Sequence, residues 1–179
     1  GNAHNLAANP ETNYVYGVGT NTFSGGLHIV DVSNPEAPFL AGSYDGAYSH
    51  DVQPVIYNGL DADYQGQEIV FCFNGQSGLA IVNAEDKSDV YLIKAITYEN
   101  GFYTHQGWLS EDHHMLYFND ELDETYNGNN TRTYMMNVDD LDNPVIVGFY
   151  ESENTAIDHN LYTHNGLLYA SNYRSGLRV

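Results

Sequence analysis

The feature that most constrains the fold of this chain is a short strand-like phrase that recurs along it. The first copy spans residues 26–35, where alternating apolar and β-branched side chains favour a strand and Ser33-Asn34-Pro35 favours a turn. Further copies begin at Gly78, Thr133 and Gly176. Recurrence of one strand-and-turn unit predicts a repeat architecture rather than a single irregular sheet.

A second marker, a histidine followed by a polar or small residue, precedes each copy of the phrase. These histidines are His4, His50, His105 and His159, and the intervals between them are 46, 55 and 54 residues. Two markers in constant order, at a period of roughly 50 residues, are typical of a four-stranded propeller blade. We therefore predict an all-β chain, a β-propeller with about three and a half four-stranded blades. Their approximate limits are 4–48, 50–100, 105–151 and an incomplete 159–179.

This number of blades is too small to close a ring, because propellers typically have about four to eight blades. We therefore expect residues 1–179 to be part of a single propeller domain, a fragment of a ring of six to eight blades. The sequence leaves the blade number open.

The chain is strongly acidic, with 5 Lys and Arg against 24 Asp and Glu and a formal net charge of −19. Such a surface repels nucleic acid and anionic membranes and attracts cations or basic partners, although solubility alone is a simpler reason for it. No stretch is long and apolar enough to span a membrane. The single cysteine, Cys72, lies in an apolar run and is predicted to be a buried small hydrophobe.

Several phrases are distinctive enough to suggest a family. Leu27–Asp31 resembles the LVIVD repeat, and residues 105–112, 119–124, 158–161 and 172–178 resemble the LVIVD-repeat proteins called choice-of-anchor B family proteins. The resemblance implies a β-propeller-like domain on a bacterial secreted or surface-attached protein. It brings no established activity and no catalytic residues. The copy at Leu79 departs from the repeat, because Asn83 replaces the aspartate.

The histidine series is the first candidate site. In a propeller the first strand of each blade lines the central channel, so equivalent histidines would converge there. Imidazoles in that arrangement bind transition metals such as zinc, and a neighbouring carboxylate adds an oxygen ligand. The candidate ligands are His4, His50, Asp51, His105 and His159. The alternative is that each histidine bonds to the backbone of the next blade and sets the register between blades.

The second candidate site is an acidic segment at a strand exit. Its carboxylates are Asp120, Glu121, Asp123 and Glu124. They repel one another unless they are solvated or bind a cation, and Ca²⁺ takes about six to eight oxygen ligands. The spacing of an EF-hand is absent. A solvated loop, or an ion pair with Arg132 or Arg174, is the alternative.

These observations favour a non-enzymatic extracellular or cell-surface scaffold that binds a protein or a surface glycan, with Ca²⁺ or Zn²⁺ as a structural cation. The second hypothesis is a metal-dependent hydrolase or lactonase-like propeller enzyme, and the third is a surface or filament subunit. The chain carries no G-x-S-x-G, G-x-G-x-x-G or P-loop pattern, so no catalytic residue is assigned.

Overall fold

The structure is a computed structural model that describes residues 2–179, and it is built almost entirely of β-strands. They form four antiparallel sheets in chain order. The first sheet contains β1 (Asn5–Asn9), β2 (Tyr14–Val18), β3 (Leu27–Asp31) and β4 (Phe39–Tyr44). The second contains β5 (Asp51–Ile56), β6 (Glu68–Phe73), β7 (Leu79–Asn83) and β8 (Tyr91–Ile96). The third contains β9 (Thr104–Leu109), β10 (Met115–Asp120), β11 (Arg132–Asn137) and β12 (Val145–Glu151). The fourth contains β13 (Asn160–His164), β14 (Leu167–Asn172) and β15 (Gly176–Arg178).

The sheets are the blades of a β-propeller, which confirms the predicted fold class. The first strands β1, β5, β9 and β13 lie side by side in that order, so each blade contributes its first strand to the propeller axis. The recurring phrase forms the third strand of each sheet. Residue 1, which the predicted domain limits 1–179 include, lies outside the described residues.

Helical structure is confined to short turns. The one-turn helix α1 (Asp123–Tyr126) lies within the acidic segment, and 3₁₀ turns span Phe23–Gly25 and Tyr173–Ser175. None of the helices in the described part of the chain has the length and apolar character needed to cross a membrane.

The pairing between the third and fourth strands is irregular at the same place in each four-stranded blade. The register shifts between Ile29 and Val30, between Ile81 and Val82, and between Met135 and Met136. A bulge of this kind leaves one residue of the outer strand out of the ladder and increases the local twist. The three repeats therefore share this detail as well as their strand order.

The second blade is buried on both of its faces, because a blade on either side packs against it. Successive residues of a strand point to opposite faces. Ile69 and Phe71 of β6 thus join one hydrophobic core with Phe118 of the third blade. Val70 and Cys72 join a second core with Ile29 of the first blade. Burial raises the pKa of the Cys72 thiol to about 12, so the prediction of a buried cysteine is confirmed.

One buried carboxylate joins the first two blades. Glu68 of the second blade accepts hydrogen bonds at Oε1 from Asn9 Nδ2 (2.7 Å) and Thr12 Oγ1 (2.9 Å) of the first. Its Oε2 lies 2.8 Å from Nζ of Lys87. The negative charge of Glu68 is therefore compensated inside the interface, as a buried charge must be.

Candidate metal centre at the propeller axis

The first strands bring the four predicted histidines together in one row. The ring centroids of His4 and His50 are 3.9 Å apart, and both later pairs, His50–His105 and His105–His159, are 4.3 Å apart. His50 and His105 are buried, His159 is half-buried and His4 is exposed. The centre of the row, His50 and His105, is therefore buried, and its first member, His4, faces solvent.

Two of these histidines tie one blade to the next through backbone hydrogen bonds. Nδ1 of His50 lies 3.3 Å from the carbonyl oxygen of His105, and Nδ1 of His105 lies 2.9 Å from the carbonyl oxygen of His159. A carbonyl oxygen only accepts, so each Nδ1 carries the hydrogen and donates it. This is the register-setting arrangement that the sequence left as the alternative to metal binding.

Glutamine side chains repeat this type of link further along the first strands. Oε1 of Gln53 accepts a hydrogen bond from the backbone N–H of Leu109 (2.8 Å), and Oε1 of Gln106 accepts one from Leu161 (2.7 Å). Both glutamines are buried. The edges of adjacent first strands are thus joined by side chains.

The two buried imidazoles are neutral near pH 7. Burial lowers the pKa of His105 to about 3, and the nearby His50 and His159 lower it further by charge repulsion. Burial, and then repulsion from His4, lowers the pKa of His50 as well. A neutral imidazole that donates through Nδ1 keeps a free lone pair on Nε2, which is the form in which histidine binds a metal.

Glu121, the residue after β10, reaches this row. Its Oε2 lies 3.6 Å from Nε2 of His105, and its Oε1 accepts a hydrogen bond from the hydroxyl of Tyr173 (2.5 Å). One ligand atom from each of His50, His105 and Glu121 lies within 4.8 Å of the other two. Tetrahedral zinc places its ligand atoms about 3.4 Å apart, so small side-chain movements would suffice to bind an ion here.

Asp51, predicted as a further ligand, is engaged elsewhere. It follows His50 on β5, so its side chain leaves the strand on the opposite face. Oδ2 accepts a hydrogen bond from Asn5 Nδ2 (2.8 Å), and Oδ1 accepts one from the backbone N–H of Val52 (2.7 Å). The bond from Asn5 joins Asp51 to the first blade.

Asp120, predicted as part of a calcium loop, is fully buried at the end of β10. Its carboxylate accepts hydrogen bonds from the hydroxyl of Tyr98 (2.8 Å) and from the backbone N–H groups of Phe102 (2.6 Å) and Tyr103 (2.7 Å). These bonds hold the segment that leads into β9.

The remaining predicted acids, Asp123 and Glu124, meet Asp158, which the sequence reasoning missed. Asp123 Oδ2 accepts a hydrogen bond from Asn129 (2.9 Å), and Glu124 Oε1 accepts one from the backbone N–H of Asp158 (3.2 Å). Both oxygens of Asp158 and one oxygen of each other acid are buried without a hydrogen-bond partner among the described residues. Burial raises the pKa of Glu124 to about 7, and burial and the neighbouring acids raise the pKa of Asp158 well above its usual range.

Arg132 and Arg174, the alternative ion-pair partners of the acidic segment, bond to other groups. Nε of Arg132 lies 2.5 Å from Oε2 of Glu151, and Nη2 of Arg174 donates to the carbonyl oxygen of Thr155 (3.3 Å). Among the described residues, neither Glu124 nor Asp158 forms an ion pair with a basic side chain.

A cavity of about 420 Å³ opens elsewhere among the first strands. Its walls include residues 5–11 and 51–55 together with Gln106, Trp108 and Tyr162. The rings of Trp108 and Tyr162 meet edge to face, with their centroids 4.8 Å apart. The cavity thus combines amide and carboxylate groups with an aromatic wall.

Residues 1–46 match the family model of the LVIVD repeat. The match covers the first blade, and the LVIVD phrase itself is β3. It supports the predicted repeat family. The comparison with curated proteins finds no match.

Two solved structures are similar to this chain in the arrangement of their blades. A protein from Lactobacillus plantarum superposes with a TM-score of 0.63 at 16% identity, covering 93% of this chain and 49% of that chain. A protein of unknown function from Bacteroides thetaiotaomicron superposes with a TM-score of 0.58 at 14% identity, covering 93% of this chain and 38% of that chain. The chain therefore spans half or less of the length of these proteins, and the likeness supports the fold.

Proposed function

We propose that this chain is part of a non-enzymatic β-propeller that acts as a rigid binding scaffold outside the cell or on the bacterial surface. The observation that carries the proposal is the use of buried His50, His105, Gln53 and Gln106 to bond the backbone of the next blade. Side chains committed to register make the arrangement of blades rigid, which is the property that a scaffold needs. The placement outside the cell rests on the resemblance to choice-of-anchor B proteins.

The cavity with the Trp108–Tyr162 wall is the proposed binding surface, and a surface glycan is its proposed ligand. Sugar rings present apolar faces that stack on aromatic side chains, and their hydroxyl groups bond amides and carboxylates such as Asn5 and Glu11. Tyr162 is 46% exposed and is therefore accessible to a ligand.

A glycan array probed with the intact protein tests this proposal. We expect binding to one glycan class, weakened about two- to tenfold by Tyr162→Ala, because one stacking contact contributes roughly 0.5–1.5 kcal/mol beyond the area it buries. Tyr150→Ala is the matched control, since Tyr150 is an exposed tyrosine on the outer strand β12. Absence of glycan binding, or equal weakening by both variants, would contradict the proposal. If the cavity binds a protein instead, glycans added in excess would not displace that protein.

A second candidate function, a metal-dependent hydrolase or lactonase-like enzyme, is favoured by the grouping of His50, His105 and Glu121. Three protein ligands leave one position of a tetrahedral zinc ion open to water, as in hydrolytic zinc enzymes. Ester and lactone hydrolysis by the zinc-loaded protein, compared with its Glu121→Gln variant, tests this function. Turnover that requires Glu121 would favour the enzyme over the scaffold.

A further inference from the structure

We infer that His50, His105 and Glu121 form a binding site for one transition-metal dication, with zinc as the preferred ion. The inference goes beyond the scaffold proposal and does not depend on glycan binding, because it concerns a different group of residues. It also differs from the site expected from the sequence, since two of the four histidines and one carboxylate from the acidic segment form it.

The orientation of the imidazoles is the first argument. Metal-bound histidines almost always donate their other ring N–H to a carbonyl or carboxylate, which sets the ring orientation and the tautomer. Nδ1 of His50 and Nδ1 of His105 each donate to a carbonyl oxygen of the next blade. Nε2 is therefore the atom with which each ring would bind an ion. The Nδ1 hydrogen bond fixes the orientation of the ring.

The contact between His105 and Glu121 is the second argument. Nε2 of His105 and Oε2 of Glu121 face each other at 3.6 Å in a largely buried setting. A cation placed between these two atoms would bind both of them. The Nδ1 hydrogen of His105 is already donated to His159 and does not serve this contact.

The type of ligand decides the type of ion. Two imidazole nitrogens and one carboxylate suit zinc and its transition-metal neighbours, whereas Ca²⁺ and Mg²⁺ take oxygen ligands. The net charge of −19 also favours the approach of a dication.

The three ligands come from two different blades, so a bound ion would link those blades. His50 belongs to the second blade, His105 and Glu121 belong to the third, and Tyr173 of the fourth blade donates to the other oxygen of Glu121. An ion at this site would connect two blades directly and a third through Tyr173.

His4 and His159 lie outside the group of ligand atoms. His4 is exposed at the start of the row, and His159 makes an edge contact with the ring of Tyr173, with centroids 5.1 Å apart. The row of histidines is thus continuous, but the inferred ligands occupy its buried centre.

Calorimetric titration of ZnCl₂ into the intact, untagged protein, stripped beforehand with a chelator, tests the inference. We expect one Zn²⁺ per chain with a Kd below about 1 µM, together with a higher Tm. Co²⁺ should give the visible absorption of a tetrahedral site with nitrogen and oxygen ligands. Glu121→Gln is the informative variant, because it removes the charged ligand and keeps an acceptor for Tyr173, whereas loss of His105 would also remove a link between blades.

We expect Glu121→Gln to weaken Zn²⁺ binding by about tenfold or more without lowering the Tm of the metal-free protein. Glu99→Gln, at an exposed position outside the site, should bind as the wild type does. No zinc binding, equal affinity in wild type and Glu121→Gln, or a preference for Ca²⁺ over Zn²⁺ would each overturn the inference. Failure of the glycan experiment would leave this titration unaffected, so the two proposals are tested separately.

Discussion

The backbone N–H of Asp158 donates to Oε1 of Glu124 at 3.2 Å, which joins the segment before the fourth blade to the helical turn α1 of the third. This contact brings the two side-chain carboxyl groups into one buried region in which several oxygens have no hydrogen-bond partner among the described residues. Charge at this place is costly, and the pKa of each of the two carboxyl groups is raised.

The first prediction is that Asp158→Asn stabilises the protein at pH 8. The folded state holds the proton of a carboxyl group with a raised pKa more tightly than the unfolded chain does, so the group destabilises the fold as pH rises. The amide removes this charge at nearly constant shape, and we expect the Tm to rise by about 2–4 °C.

Thermal melting of wild type and variant from pH 8 to pH 5 measures this effect. The advantage of the variant should shrink as pH falls, because Asp158 itself becomes protonated. Asp63→Asn, at an exposed turn, is the control and should leave the Tm unchanged. An unchanged or lower Tm for Asp158→Asn at pH 8 without added metal would contradict the prediction.

The second prediction concerns the protonation of His105. Its pKa of about 3 means that the imidazole stays neutral at pH 5, with the hydrogen on Nδ1. Long-range ¹⁵N–¹H NMR correlation distinguishes this tautomer from the imidazolium form. A charged His105 at pH 5 would contradict this prediction.

The same shift sets a limit on stability in acid. A histidine with a depressed pKa in the folded state binds its proton more readily in the unfolded chain, so stability is lost as pH falls below the ordinary histidine pKa of about 6.5. As pH falls, protonation of His105 in the unfolded chain lowers the stability, whereas protonation of Asp158 in the folded state raises it. The two effects oppose each other in the wild type, so the difference in Tm between wild type and Asp158→Asn is the informative quantity.

The third prediction is that Asp120→Ala is strongly destabilising. The substitution leaves the Tyr98 hydroxyl and the N–H groups of Phe102 and Tyr103 without their acceptor in a part-buried site. We expect a loss of about 3–5 kcal/mol in the free energy of unfolding, against less than about 0.5 kcal/mol for Asp63→Ala. Urea denaturation followed by intrinsic fluorescence measures both values. A loss below about 1 kcal/mol in the free energy of unfolding would contradict the role given to the hydrogen bonds of Asp120.

The fourth prediction is that Lys87→Met destabilises the protein at the interface between the first two blades. The variant leaves the buried Glu68 carboxylate with its bonds from Asn9 and Thr12 but without its counter-charge. Removal of one partner of a buried ion pair typically costs about 3–5 kcal/mol. Lys94→Met on β8 is the matched control and should cost much less. The double variant Lys87→Met/Glu68→Gln should recover part of the loss, and no recovery would argue against the pairing.

The architecture was predictable because its signal is local and periodic. The phrase at Leu27 and its copies carry strand-forming residues and a turn, and they became the third strands of the sheets. The histidines mark the start of the first strands for the same reason. The alternation of Ile69, Val70 and Phe71 between two cores also follows from the period of a strand.

The composition of the candidate site was only partly predictable, because it depends on how separate blades face each other. Nothing in residues 120–124 indicates that Asp120 turns inward while Glu121 reaches His105. Asp158 did leave a signal. It directly precedes His159, where Ser49 and Thr104 precede His50 and His105, so a carboxylate replaces a hydroxyl at an equivalent buried position.

The bulges in the outer pairs of strands have a consequence for how copies of this protein meet. An outermost strand offers unpaired N–H and C=O groups, and a flat one would serve as a template for aggregation. In each four-stranded blade the shift beside Val30, Val82 or Met136 interrupts the spacing of those groups and twists the edge. Phe39 and Val145 leave apolar surface on these strands. The repeated irregularity therefore acts as protection against fibre growth through edge-to-edge pairing, and a filament of such propellers would have to assemble through side-chain surfaces instead.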